Sequence, residues 1–167
     1  MKPAQSVLMA EDDPNDVFLL ERAFKAAEIR NSLHHVADGE EAIEYLSGRG
    51  KFADRAQFPL PGLLILDLKM PRKTGMDVLR WLRGVPGLRC LPVIIFSSSA
   101  QPLDVELAYQ LGANVFVVKP AGLAERADFA RTIKTFWLNL NEVPLVCTEG
   151  IESAKKAQEG LHFDGKI

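Results

Sequence analysis

Five apolar runs of strand length alternate with segments of helical period, and this alternation leaves few architectures open to the chain. The runs cover residues 6–10, 33–36, 63–66, 93–96 and 115–118. Strands that are apolar throughout and separated by helices predict a parallel sheet covered on both faces. In the first helical segment, 14–28, Val17, Leu20, Phe24 and Ala27 share one stripe, with Asp13 placed as cap and Pro14 in the first turn. Further helices are predicted over 40–46 behind Asp38-Gly39, over 75–82, over 102–111 with a stop at Gly112, and over 123–140.

The remaining segments are less regular. Residues 48–61, with Gly50, Pro59, Pro61 and several charges, read as an exposed, mobile connection on the far side of the sheet from Asp67. Beyond Pro144, Ile151, Ala154, Ala157 and Leu161 could line a weak helical face, interrupted by Gly160 and Gly165. Cys90 and Cys147 lie far apart among apolar neighbours, which predicts buried free thiols. With 167 residues, 47% of them hydrophobic, the chain suits one domain with a proper core. The balance of 20 Lys and Arg against 22 Asp and Glu gives no bulk electrostatic case for DNA or an anionic membrane. The first apolar run is too short for a signal segment or membrane span, so a cytoplasmic protein is expected.

The chemistry gathers at strand ends. Asp67 closes the run Leu63-Leu64-Ile65-Leu66 and precedes Leu68-Lys69-Met70-Pro71, while Glu11-Asp12-Asp13 follows the first strand. In a doubly wound sheet the first and third strands are neighbours, and ligands bind beyond their carboxyl ends. Two ionised carboxylates about 4 Å apart repel by about 4 kcal/mol at an effective dielectric of about 20. A hard divalent cation relieves that repulsion, and magnesium suits oxygen ligands that leave room for phosphate. Ser97 ends the fourth run and adds a hydroxyl; Lys119 ends the fifth, before Pro120, and adds an ammonium. A carboxylate nucleophile with a metal, a hydroxyl and a lysine is the set that phosphoryl transfer onto aspartate requires.

The set Glu11-Asp12, Asp67-Leu68-Lys69-Met70-Pro71 with Gly75, Ser97 and Lys119-Pro120 resembles the receiver domain of two-component response regulators. The resemblance covers about 5–141 and leaves 142–167 as a tail with no separate effector domain. It implies a flavodoxin-like (βα)5 fold with strand order 2-1-3-4-5. It also implies a phosphoacceptor at Asp67, Mg2+ held by Asp12, Asp67, the Lys69 carbonyl and, through water, Glu11, and phosphoryl contacts from Ser97 and Lys119. Phe116 stands at the position of a switching aromatic, and a cis Lys119-Pro120 bond is the family's habit. Such a protein is a switch whose only catalysis is its own phosphotransfer and dephosphorylation. Its output is protein contact, including a homodimer through the fourth helix, fifth strand and fifth helix. The stretches 11–16 and 109–114, with Phe136-Trp137-Leu138, resemble single-domain regulators whose sensor histidine kinases are bacteriophytochromes.

Other readings compete at several positions. Asp13, just before Pro14, suits a helix cap better than a ligand. His34 and His35 are adjacent on a strand, point to opposite faces, and read as structural. Phe136, Trp137 and Leu138 cannot all face one core, so at least one meets a partner or the tail. Arg72 and Lys73 read as loop charges or kinase-docking contacts. An aspartyl-phosphate phosphatase of the haloacid dehalogenase kind would carry Asp-x-Asp after its first strand, which this chain lacks. A flavin or nucleotide binder would need a glycine-rich loop there. A phosphate-independent adaptor stays open, although no acceptor residue is lost.

Overall fold

The computed structural model describes residues 5–144. In chain order they form β1 (Val7–Ala10), α1 (Pro14–Ala26), β2 (Leu33–Val36), α2 (Gly39–Ser47), β3 (Leu63–Leu66), α3 (Gly75–Gly84), β4 (Val93–Ser97), α4 (Pro102–Gln110), β5 (Val115–Val118) and α5 (Leu123–Thr132). The strands make one parallel sheet in the order β2-β1-β3-β4-β5, a doubly wound, flavodoxin-like arrangement. Successive side chains on a strand point to opposite faces, so each central strand feeds two cores. Leu8, Leu64 and Leu66 pack with Tyr45, Leu79 and Leu82 from α2 and α3. Val7, Met9, Ile65 and Phe96 pack with Leu20, Phe24, Ala130 and Ile133 from α1 and α5. The tail after Pro144, with its proposed stripe and Cys147, lies outside the described residues.

Helix ends follow local chemistry. Asp13 caps α1 by accepting from the Asn15 backbone, and Asp38 caps α2 by accepting from Glu41. Thr74 and Asp77 form a reciprocal capping box on α3. Helix α1 stops at Ala26, two residues before the predicted limit, because Glu28 turns left-handed (φ 55) and Ile29 bonds back to Phe24. Beyond Thr132 the predicted helix continues to Leu140 as a π-helical segment, Ile133–Leu140. The i to i+5 spacing puts Ile133 and Leu138 into the core and turns Phe136 outward, so the three adjacent apolar residues do divide between core and surface.

Two expectations fail. Residues 48–61 are not a loose connection: a 3-10 turn at Gly50–Phe52 buries Phe52, which packs tilted on Tyr45, and Phe58 meets both rings edge to face. Arg55 pins this loop by donating to the carbonyls of Tyr45, Leu46 and Phe58. Cys90 is exposed, not buried. The apolar anchors of its turn are Leu88 and Leu91, and the carbonyls of Arg89 and Leu91 are held by Arg83, which leaves Cys90 pointing out.

Candidate functional site

Pairing in register carries the acids to one rim. Ala10 sits opposite both Leu66 and Val36, the Asp67 N–H donates to the Ala10 carbonyl, and the Glu11 N–H donates to that of Val36. Glu11 and Asp67 are thereby buried, while Asp12 is exposed. One oxygen from each of the three carboxylates falls within 4.8 Å of the others. Asp13 stays out of the group as the cap of α1, and its N–H donates to Glu11 Oε1 at 3.1 Å. Gly75 sits tightly behind the site, since a Cβ there would lie 2.1 Å from the Asp67 carbonyl oxygen.

Lys119, at the end of β5, reaches into this group. Its Nζ lies 2.6 Å from Glu11 Oε2, 2.8 Å from Asp16 Oδ2 and 3.2 Å from Asp67 Oδ2. Burial opposes the lysine's charge, but Asp16, Glu11 and Asp67 together hold its pKa above the ordinary value. Burial is also the main reason that the Glu11 carboxyl is pushed up to about 7; Asp67 adds to it, and Lys119 only partly offsets it. Glu11 Oε2 is buried and meets the Lys119 ammonium at 2.6 Å. Three converging carboxylates, two of them buried, fit a hard divalent cation.

Asp16 and Arg126 lie behind Lys119, outside the acid cluster, and the sequence assigned neither a role. Asp16 lies in the first turn of α1 and Arg126 in that of α5, 110 positions apart, and they pair at 2.8 Å. Burial works against the Asp16 charge, yet hydrogen bonds from Lys119 and Arg126 keep its pKa below the usual value. The stretch 11–16 contains Asp16, but nothing in it points to Arg126; only the packing of α1 on α5 brings them together.

The other predicted positions are placed as follows. Ser97 is fully buried at the end of β4, where its Oγ accepts the Ser99 N–H at 3.2 Å and its carbonyl accepts the Lys119 N–H at 2.8 Å. Phe116 is half-buried against the α2 and α3 core, and its N–H donates to the Tyr109 hydroxyl at 3.2 Å. The Lys69 side chain is exposed. His34 packs on Tyr45 and Phe58, whereas His35 Nε2 lies 2.7 Å from the Glu11 carbonyl; the two rings have separate structural neighbours. Arg72 is more than a loop charge, since it pairs with buried Asp38. The Lys119-Pro120 bond is trans, against expectation. Trans is the ordinary preference of an X-Pro bond, by about 0.5–1 kcal/mol, and here Arg126 Nε holds the Pro120 carbonyl at 2.9 Å.

An acid cluster beyond β1 and β3, with a serine ending β4 and a lysine directly after β5, defines a class of signalling domain. A model of the response regulator receiver domain matches residues 7–130, and the chain belongs to that family. Response regulator Rcp1 of Synechocystis sp. is 30% identical over 142 residues, which span 85% of this chain and 95% of that one. Its Mn2+-bound structure superposes with a TM-score of 0.75 at 29% identity, covering 84% of this chain and 99% of that one. Response regulator RPA3017, described in red light signalling of R. palustris, gives a TM-score of 0.79 at 39% identity, covering 84% of this chain and 98% of that one. The phosphorylated cyanobacterial phytochrome response regulator RcpA gives 0.78 at 30%, covering 85% and 99%. Among the described residues no helix is long and apolar enough to cross a membrane.

Proposed function

We propose that the protein is a phosphorylation switch in which Asp67 accepts a phosphoryl group from a sensor histidine kinase. The observation that carries this reading is the convergence of Glu11, Asp12 and Asp67 within 4.8 Å, with the Lys119 ammonium 3.2 Å from Asp67. An Asp67 carboxylate oxygen forms the new P–O bond as the P–N bond of the phosphohistidine breaks, and the leaving imidazole takes up a proton. Asp12, Asp67, the Lys69 carbonyl and, through water, Glu11 would hold Mg2+, which would supply charge neutralisation to the transferring group. Lys119 neutralises a further phosphoryl oxygen, and Ser97, whose Oγ accepts from the Ser99 N–H and keeps its own O–H, donates to another. The product stays on the protein, so the chain turns over no separate substrate beyond gaining and losing its own phosphoryl group.

The likeness to phytochrome response regulators supports a bacteriophytochrome as the kinase, with the exchange taking place in the cytoplasm. The receiver unit, 5–141, then signals by protein contact. Exposed Leu103, Leu107, Val118 and Leu123 on α4, β5 and α5 support a homodimer through that face, with Phe116 and Ser97 as the switching pair. Intact-protein mass spectrometry after incubation with acetyl phosphate, with and without Mg2+, tests the reading. A Mg2+-dependent, alkali-labile adduct in the wild type and none in Asp67→Asn is expected; labelling that persists in Asp67→Asn overturns the assignment.

A further inference from the structure

Lys119 is not centred on Asp67. Its ammonium lies closer to Glu11 and Asp16, at 2.6 and 2.8 Å, than to Asp67 at 3.2 Å. Asp16 uses its two oxygens differently: Oδ2 accepts from Lys119, and Oδ1 accepts from Arg126 Nη2 at 2.8 Å. Arg126 is 6% exposed and has no other ion-pair partner among the described residues. Its Nε donates to the Pro120 carbonyl, and its guanidinium lies 5.9 Å from the centroid of Phe96, whose ring stacks on Phe129 of α5. Its remaining group, Nη1, is buried without any hydrogen-bond partner.

We propose that Asp16 is a positioning residue that couples Asp67 to helix α5, by sharing Lys119 with the acid cluster through one oxygen and holding Arg126 through the other. The inference rests on Asp67 being the acceptor. Conversion of the Asp67 carboxylate into an acyl phosphate adds negative charge where Lys119 is within reach, which draws the ammonium from Asp16. Asp16 Oδ2 is then without its cation, and Arg126 still has one unused donor. A carboxylate and a guanidinium with two free sites favour a two-pronged pair. That re-pairing pulls on the first turn of α5 and, through the Pro120 carbonyl, on the loop behind Lys119. Phosphorylation is thus read at the exposed α5 surface through one carboxylate, a change of balance between two existing arrangements.

Beryllofluoride with Mg2+ serves as the acyl-phosphate mimic, and amide hydrogen exchange over residues 123–132 as the readout. A single Asp16→Asn change leaves Arg126 buried without a counter-ion, so the main variant is the neutral pair Asp16→Asn with Arg126→Gln, which strands no charge. The wild type is expected to change exchange over 123–132 on adding beryllofluoride, and the neutral pair to bind beryllofluoride with that change reduced about fivefold or more. An undiminished change in the variant overturns the inference, as does a wild type that binds beryllofluoride without any change in α5. Loss of beryllofluoride binding in the variant would make Asp16 part of the acceptor site and equally overturn the coupling role. A wild type that neither binds beryllofluoride nor forms an adduct with acetyl phosphate sinks the acceptor reading, and the inference with it.

Discussion

The Nε of Arg72 donates to Asp38 Oδ2 at 2.9 Å, joining the loop that follows Asp67 to the cap of α2. Arg72 holds this position with a left-handed backbone (φ 64), and a Cβ on neighbouring Gly39 would lie 2.1 Å from the Lys73 carbonyl oxygen. The two loops are therefore packed as one unit, and the loop after Asp67 is held against the start of α2.

Asp38→Ala removes both the cap and the buried partner of Arg72, and is expected to lower stability by about 1–2 kcal/mol. Asp38→Asn, which can still cap, should cost less. Although burial opposes it, hydrogen bonds from Arg72 and the Glu41 backbone hold the Asp38 carboxyl below its usual 3.8. Its stabilisation is therefore present above about pH 4 and lost as pH falls through the lower folded value. Thermal melts of wild type and Asp38→Ala between pH 7 and pH 3 should converge at the acid end.

Glu11 titrates with the opposite sign. Its folded pKa of about 7 lies above the ordinary 4.5, so without metal the folded protein holds a proton that the unfolded chain has released. The stabilisation by that proton is complete below about pH 4.5 and disappears as pH rises through 7, a change of up to a few kcal/mol. Mg2+ needs the ionised form, so its affinity should fall as pH drops from 8 to 6, with proton release on binding. Glu11→Gln should flatten this dependence and weaken Mg2+ by about tenfold. Calorimetric Mg2+ titrations in buffers of different ionisation enthalpy measure both effects; equal affinity at pH 6 and pH 8 would contradict the placement of Glu11.

Gly75→Ala forces a methyl to 2.1 Å from the Asp67 carbonyl oxygen, so the α3 end or the loop after Asp67 must move. A loss of about 2 kcal/mol or more is expected, with slower adduct formation. Chemical denaturation and the rate of labelling by acetyl phosphate check the two effects separately. A variant as stable as wild type would mean that the loop yields easily.

Arg55→Ala deletes donors to three carbonyls and uncovers the Tyr45, Phe52 and Phe58 cluster. It is expected to destabilise by about 2–3 kcal/mol and to make residues 48–61 the first site of proteolytic cutting. Limited proteolysis followed by mass mapping decides this; wild-type-like resistance would show that the aromatic packing alone suffices.

The amino-acid sequence by itself determined the parallel sheet, the helix caps at Asp13 and Asp38, and the strand-end placement of Glu11, Asp12, Asp67, Ser97 and Lys119. These are local properties: alternation of apolar runs, capping side chains, and acids or a lysine directly after a strand. Tertiary structure decided the rest. Nothing near Cys90 shows that Leu88 and Leu91 take the core positions in its turn, and nothing near Arg55 announces three carbonyls to hold. Lys119 finds Asp16 across 103 positions, and Arg126 finds it across 110. Such pairs depend on how α1 and α5 pack on the sheet, and a buried charge is satisfied by whichever partner the fold brings within reach, not by any pattern in its own neighbourhood.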